Sequence, residues 1–278
     1  MPLRSTKDVR NLKLSSLGST NLRKFAAEVG QIGRDNCSKI IKRLVELSDI
    51  DIALDAFIKQ QYMSKIAERR NLIGDEALVG ELNKVQNFSW GAVQGQLDRK
   101  IQNEYVRRFV QYDELINNVR AKLHDEITSH VVCTWYNHWT TVLIEEHIGQ
   151  HPKVVPTLKS VKGIDVFFDG QPFDLKTTYV PRGYDVMEAL KSPRELAIWL
   201  YENQGAQRFG ADNRLFVILV DRENPSESWK LKREFKVVFE RIDQFFNNER
   251  VSEADEIPFT FGRKTYTAVC KILVITNK

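Results

Sequence analysis

Two aspartates and a lysine lie within a short stretch of sequence that predicts a β-hairpin. Residues 163–178 read GIDVFFDGQPFDLKTT, two alternating runs joined by Asp169-Gly170. Asp-Gly is a strong signal for a two-residue hairpin loop, because both loop positions need a positive φ angle. With that loop Asp165 faces Asp174, so the pattern predicts two carboxylates as direct neighbours across the two strands.

Side chains alternate along a strand, so the hairpin has an apolar face and a charged face. The apolar face carries Val166, Phe168, Phe173 and Leu175, and the charged face carries Asp165, Asp174 and Lys176. Like charges at directly opposed positions are destabilising unless something neutralises them. Mg²⁺ would do so, since it prefers carboxylate, carbonyl and water oxygens. With a lysine to orient or help deprotonate water, the set suits metal-assisted phosphodiester hydrolysis.

A further acid is available on the segment that precedes the hairpin. Residues 134–149 predict an amphipathic helix that ends at a glycine, and Glu145 and Glu146 lie near its end. The sequence does not decide which glutamate faces the hairpin. Glu146 is favoured slightly because it lies one turn beyond Val142, and we assign it as the third acid of the catalytic and metal-binding set.

These residues resemble the PD-(D/E)xK nuclease superfamily, whose best-known members are type II restriction endonucleases. The resemblance covers residues 130–225 and is carried by the helix glutamate, Gly-Ile-Asp165 and Phe-Asp174-Leu-Lys176. It implies that Asp165 and Asp174 bind Mg²⁺, that Lys176 positions the attacking water, and that the helix glutamate assists the metal site. Ile164 stands where the name of the motif has proline.

The elements that must position these residues are predicted in the second half of the chain. Strand-like runs occupy residues 163–168, 173–178, 214–220 and 268–276, and helical stretches occupy residues 192–203 and 226–247. This order indicates an α/β (α+β) core with a mixed central sheet flanked by helices, and the resemblance makes it restriction-endonuclease-like. Earlier in the chain, apolar residues recur at helical spacing. We therefore divide the chain into a mostly helical region, residues 1–130, and a nuclease-like core, residues 131–278.

The composition describes a globular chain with an uneven distribution of charge. It has 278 residues, of which 42% are hydrophobic and 28% charged, and this excludes intrinsic disorder and fibrous architecture. The net charge is only +4, but residues 1–43 contain ten lysines and arginines against three acidic residues. Such a segment can contact DNA phosphates, although a solvated helix face is an equally reasonable explanation.

Candidate DNA contacts come from two segments. Lys39, Lys42 and Arg43 belong to the basic segment near the start of the chain. Thr177, Tyr179 and Arg182 follow the catalytic lysine directly, where a side chain would lie near the scissile phosphate. These three residues can equally be ordinary loop residues.

Three scattered cysteines without a CxxC pair predict neither a disulfide framework nor a cysteine zinc site, and so favour a cytoplasmic protein. No apolar run approaches the roughly 18 residues of a membrane span. The resemblance implies double-stranded DNA as the substrate, a homodimer if the recognition sequence is palindromic, and a DNA methyltransferase as a system partner outside any stable complex. Two alternatives remain: another nuclease of this superfamily that acts in repair or on particular DNA structures, and a non-enzymatic DNA-binding protein.

Overall fold

The computed structural model describes residues 3–31, 33, 35–87, 97, 99–203 and 212–277. The first half of this part of the chain is helical and comprises α1 (Thr6–Ser16), α2 (Gly18–Glu28), α3 (Cys37–Val45), α4 (Asp51–Leu72), α5 (Asp75–Leu82) and α6 (Tyr112–Asn118). Two π-helical segments, Ile101–Val106 and Val119–Leu123, lie on either side of α6 in the chain. The predicted helical character of the first half is confirmed for its described residues. Among the described helices, none has the length and apolar character needed to cross a membrane.

The second half combines strands and helices. It contains α7 (His124–Gln150), β1 (Val154–Val161), β2 (Ile164–Phe168), β3 (Gln171–Tyr179), α8 (Val186–Lys191), α9 (Pro193–Asn203), β4 (Arg214–Val220), α10 (Ser228–Leu231), α11 (Phe235–Asn248), β5 (Glu256–Phe261) and β6 (Lys264–Thr276). Short 3₁₀ segments at Pro225–Glu227 and Glu253–Asp255 precede α10 and β5. The four predicted strands are confirmed as β2, β3, β4 and β6.

The strands form one mixed six-stranded sheet with the order β1-β2-β3-β4-β6-β5. Strands β3, β4 and β6 are parallel, and β1, β2 and β5 pair antiparallel with their neighbours. The prediction of a mixed sheet with helices is therefore confirmed. The unpredicted strands, β1 and β5, are the two edges, and they contain Pro156 and Pro258. Proline is tolerated at sheet edges but weakens a strand pattern in the sequence.

The hairpin of β2 and β3 has the predicted two-residue loop. Asp169 has a φ angle of 49° and Gly170 one of 72°. The register pairs Phe168 with Gln171, Phe167 with Pro172 and Val166 with Phe173. The four residues of the predicted apolar face are all buried.

The chain folds into two compact units, residues 1–72 with 144–278 and residues 73–143. This division differs from the boundary expected at residue 130, because the first four helices belong to the same unit as the sheet. Leu14 and Phe25 of these helices share a buried core with Val155 and Phe167 of the sheet. Short amphipathic helices must bury their apolar stripes against a partner, and here that partner is the β1–β2 end of the sheet.

Candidate active site

A cavity of about 440 Å³ lies beside the hairpin, within the larger compact unit. Asp165, Asp174 and Lys176, the three hairpin residues predicted to act together, all line it. The other described residues of its wall are Glu145, Ser160, Val161, Lys162, Gly163, Leu175, Asp212 and Arg214. The fold therefore brings the predicted acids and lysine to one concave surface.

Asp174 and Lys176 occupy alternate positions of β3 and so share one face of the strand. Asp174 is buried, and its Oδ1 accepts a hydrogen bond of 2.7 Å from Nζ of Lys176. Lys176 also donates to the main-chain oxygen of Leu175 over 3.1 Å. The two hydrogen bonds hold the half-buried ammonium group at the cavity wall.

Asp165 lies just beyond the last residue pair of the β2–β3 ladder, Val166 with Phe173. It is exposed to solvent, and its Oδ2 accepts a hydrogen bond of 2.9 Å from the main-chain N–H of Leu175. Desolvation by neighbouring protein atoms raises the pKa of Asp165, the Leu175 N–H lowers it, and the charge of Asp174 raises it again. The pKa of Asp165 is raised on balance, chiefly by desolvation, and the charge of Asp174 adds to this effect.

Glu145, rather than Glu146, lines the cavity. Burial raises the pKa of Glu145 to about 7, and the charge of Asp165 adds to this effect. Glu146 instead forms an ion pair with Arg69 of α4, in which Nε of Arg69 donates to Oε1 over 3.0 Å. Successive residues of a helix point about 100° apart, so two adjacent glutamates cannot share one environment.

The sequence analysis did not identify three charged residues of the cavity wall. Lys162 belongs to the turn between β1 and β2, Asp212 precedes β4, and Arg214 is the first residue of β4. Only Arg214 carries a local signal, because a charged residue begins an otherwise apolar strand. Nε of Arg214 lies 3.6 Å from Oδ2 of Asp174, its neighbour in the parallel β3–β4 ladder.

Lys232, which follows α10, is another charged residue that the sequence analysis missed. It is buried, and burial lowers its pKa to about 8, while the charge of Glu145 acts in the opposite direction. The positive charge of Lys232 in turn lowers the pKa of Glu145. The two groups therefore influence each other's protonation.

Thr177 and Tyr179 are part of β3, rather than of a segment that leaves the strand. They pair with residues of β4, and strand alternation places them on the face opposite Lys176. Arg182 follows the strand and is exposed. Of these three candidate DNA contacts, Arg182 is the exposed one, and Thr177 and Tyr179 are half-buried.

The other candidate DNA contacts lie on α3. Lys39 and Lys42 are exposed, whereas Ile40 and Leu44 of the same helix are buried. Arg43 is also exposed and forms an ion pair of 2.6 Å with Asp35. The two lysines thus lie on the solvent-facing side of an amphipathic helix. That they contact DNA stays a prediction.

The donor set of the cavity is compatible with Mg²⁺. No group of three or more His, Cys, Asp and Glu in the described part of the chain is arranged as a preformed metal site. Among the described wall residues there are four carboxylates and three cations, and Asp212 shows, like Glu145 and Asp165, a pKa that burial raises. A divalent cation would offset this excess negative charge. Mg²⁺ commonly takes one or two carboxylates and completes its shell with water and phosphate, which fits Asp165 and Asp174.

Comparison of the chain with protein-family models, with curated proteins and with solved structures gave no match. Its function has to be inferred from the chemistry of the cavity.

Proposed function

We propose that the protein is a Mg²⁺-dependent endonuclease that hydrolyses phosphodiester bonds of double-stranded DNA, and that it acts as a type II site-specific restriction endonuclease. One observation carries the proposal: Asp165 and Asp174 line a single cavity with Lys176, whose Nζ lies 2.7 Å from Oδ1 of Asp174. Hard oxygen donors can hold Mg²⁺, and a neighbouring ammonium group can orient water, which are the two functions that metal-assisted phosphodiester hydrolysis needs.

Asp165 and Asp174 would hold the metal ion from adjacent strands. When bound, Mg²⁺ supplies electrostatic stabilisation of the negative charge that develops on the scissile phosphate. Lys176 donates a hydrogen bond that orients the attacking water in line with the leaving oxygen. The hydrogen bond to Asp174 keeps the flexible lysine side chain in place for this task.

Glu145 accepts a proton from water at the same wall. In the metal-free site its pKa is about 7, so carboxylate and carboxylic acid are both well populated near neutral pH. A general base works best when its pKa lies near the pH of operation. We therefore assign this role to Glu145, and we propose no catalytic role for Glu146.

A restriction-endonuclease-like core, a homodimer on a palindromic sequence and a cytoplasmic location complete the proposal. Catalytic acids on the adjacent strands β2 and β3 of a mixed sheet support the first of these. A homodimer would supply one cavity for each DNA strand. A methyltransferase with the same sequence specificity would protect the host DNA.

The decisive experiment is incubation of unmethylated phage DNA with the purified protein and Mg²⁺, with EDTA as the control. Discrete fragments are expected. Cleavage restricted to branched or damaged DNA would indicate a structure-selective or repair nuclease with the same site. Absence of cleavage with every divalent cation, together with salt-dependent binding, would favour a non-enzymatic DNA-binding protein. The exposed lysines of α3 are the observation that supports this alternative.

A further inference from the structure

Arg214 has a buried donor with no acceptor in the described part of the chain. Its side chain is 9% exposed, and it lines the cavity. Its Nε is buried without a hydrogen-bond partner, since Oδ2 of Asp174, at 3.6 Å, lies beyond hydrogen-bonding distance. A buried guanidinium N–H that lacks an acceptor costs free energy. Such a position is suited to an acceptor that enters from outside the chain.

The surrounding structure holds Arg214 in a defined position. Its Cζ lies 4.8 Å from the ring centroid of Tyr201, in cation–π contact. The main-chain oxygen of Asn213 accepts a hydrogen bond of 2.9 Å from the N–H of Asp174, and its Oδ1 accepts one of 3.0 Å from a main-chain N–H of β6. The start of β4 is therefore tied to both neighbouring strands, and the contact with Tyr201 positions the guanidinium group.

Lys162 brings a second cation to the same wall. It is exposed in the β1–β2 turn, and its charge partly offsets the rise that burial causes in the pKa of Asp212. The turn approaches this acid closely at Gly163, where a β-carbon would lie 2.8 Å from the Asp212 carboxyl group, and where the φ angle is 73°. The turn therefore places Lys162 at the part of the cavity that Arg214 and Asp212 share.

We propose that Arg214, with Lys162 in the same cavity wall, is a phosphate-binding subsite that takes a phosphate group of the nucleic-acid backbone. The planar guanidinium group offers several N–H donors in a geometry that matches phosphate oxygens, which an ammonium group does not. The choice of nucleic acid rests on the proposed function. The phosphate itself is either internal to a strand or a terminal 5′-phosphate.

Fluorescence anisotropy in the presence of Mg²⁺ measures this binding with two labelled DNA duplexes, one with 5′-phosphate ends and one with 5′-hydroxyl ends. The protein carries Lys176→Ala so that hydrolysis does not obscure binding. Arg214→Gln is added in one variant and Arg214→Lys in another. Arg222→Gln is the matched control, because Arg222 is exposed just after the opposite end of the same strand.

Arg214→Gln is expected to weaken binding about tenfold to a hundredfold, the usual effect of removing a charge-assisted hydrogen bond, while Arg222→Gln leaves binding unchanged. A loss with both duplexes assigns an internal phosphate, and a loss with the 5′-phosphorylated duplex alone assigns the terminal one. Arg214→Lys is expected to lose about threefold to tenfold, since it retains charge but not the planar donors. Circular dichroism checks the fold, and Arg214→Lys carries the test if Arg214→Gln does not fold.

If the Arg214 variants bind DNA as tightly as Arg222→Gln does, the proposed subsite is wrong. DNA cleavage by the unmodified chain, together with that result, would leave the nuclease proposal standing. Arg214-dependent binding without any cleavage by the unmodified chain would support the subsite and overturn the nuclease.

Discussion

Nζ of Lys176 donates a hydrogen bond of 2.7 Å to Oδ1 of Asp174, two residues earlier on the same face of β3. Asp174 is buried, and Nε of Arg214 lies 3.6 Å from its Oδ2, so each of its carboxylate oxygens faces a cation. The pair lies beside Asp165 and Glu145 in the cavity wall. The hydrogen bond between Lys176 and Asp174 therefore joins the two side chains to which we assign water orientation and metal binding.

Lys176→Ala and Asp174→Ala are each expected to reduce Mg²⁺-dependent cleavage at least about a hundredfold, because one removes the water-orienting donor and the other a metal ligand. DNA binding should be largely retained. Digestion of phage DNA and fluorescence anisotropy measure the two effects. Lys236→Ala and Glu240→Gln, at exposed positions of α11, are controls of matching charge and should cleave normally. Wild-type cleavage rates in both cavity variants would show that the site is assigned wrongly.

Glu145→Gln and Glu146→Gln are expected to affect different properties. The first should lower the cleavage rate about tenfold to a hundredfold, because Glu145 lines the cavity as a proton acceptor. The second should lower the free energy of unfolding by roughly 1 to 3 kcal/mol, because it replaces a carboxylate that accepts charge-assisted hydrogen bonds from the largely buried guanidinium group of Arg69. Urea unfolding and DNA digestion of both variants separate these effects. Equal loss of activity in Glu146→Gln, with unchanged stability, would contradict the assignment of Glu145.

Glu145 should make the metal-free protein less stable as the pH rises from 4.5, its ordinary pKa, to about 7, its pKa in the folded chain. Within this window the unfolded chain has already lost the proton that the folded chain still holds, so rising pH favours unfolding. Glu145 contributes at most roughly 3 kcal/mol to this fall.

Urea unfolding in EDTA, at pH 5 and at pH 7.5, measures the change. Glu145→Gln should show a smaller fall than the unmodified chain, and Glu240→Gln should show the same fall as the unmodified chain. An identical pH dependence in Glu145→Gln would disprove the raised pKa of Glu145.

The double variant Lys39→Ala, Lys42→Ala is expected to weaken DNA binding and to reduce the slope of log affinity against log salt by about 2, one for each lost phosphate contact. Binding titrations over a range of salt concentrations give the slope. Lys236→Ala with Lys264→Ala, at two exposed lysines elsewhere, is the control.

An unchanged slope in the α3 variant would assign its lysines to a solvated helix face. Point variants are preferable to deletion of residues 1–43. Leu14 and Phe25 share a core with Phe167, so deletion would open that core.

The sequence by itself determined the hairpin and its chemistry. The Asp-Gly loop and the alternation of side chains specify the register and the buried face, because these are local properties of the backbone. The same pattern identified Asp165, Asp174 and Lys176, which the structure brings to one cavity. The sequence also predicted the strands with continuous apolar or alternating patterns. It did not reveal the two edge strands, whose prolines weaken the pattern.

The tertiary structure decided which distant residues join that hairpin. It directed Glu145 to the cavity and Glu146 to Arg69, because packing of α7 fixes a rotation about the helix axis that the helical pattern left open. The parallel pairing of β3 with β4 placed Arg214 beside Asp174. Packing also joined the first four helices to the sheet, since their buried residues share a core with β1 and β2. A local pattern states which face of an element is apolar, but only long-range packing determines what that face meets.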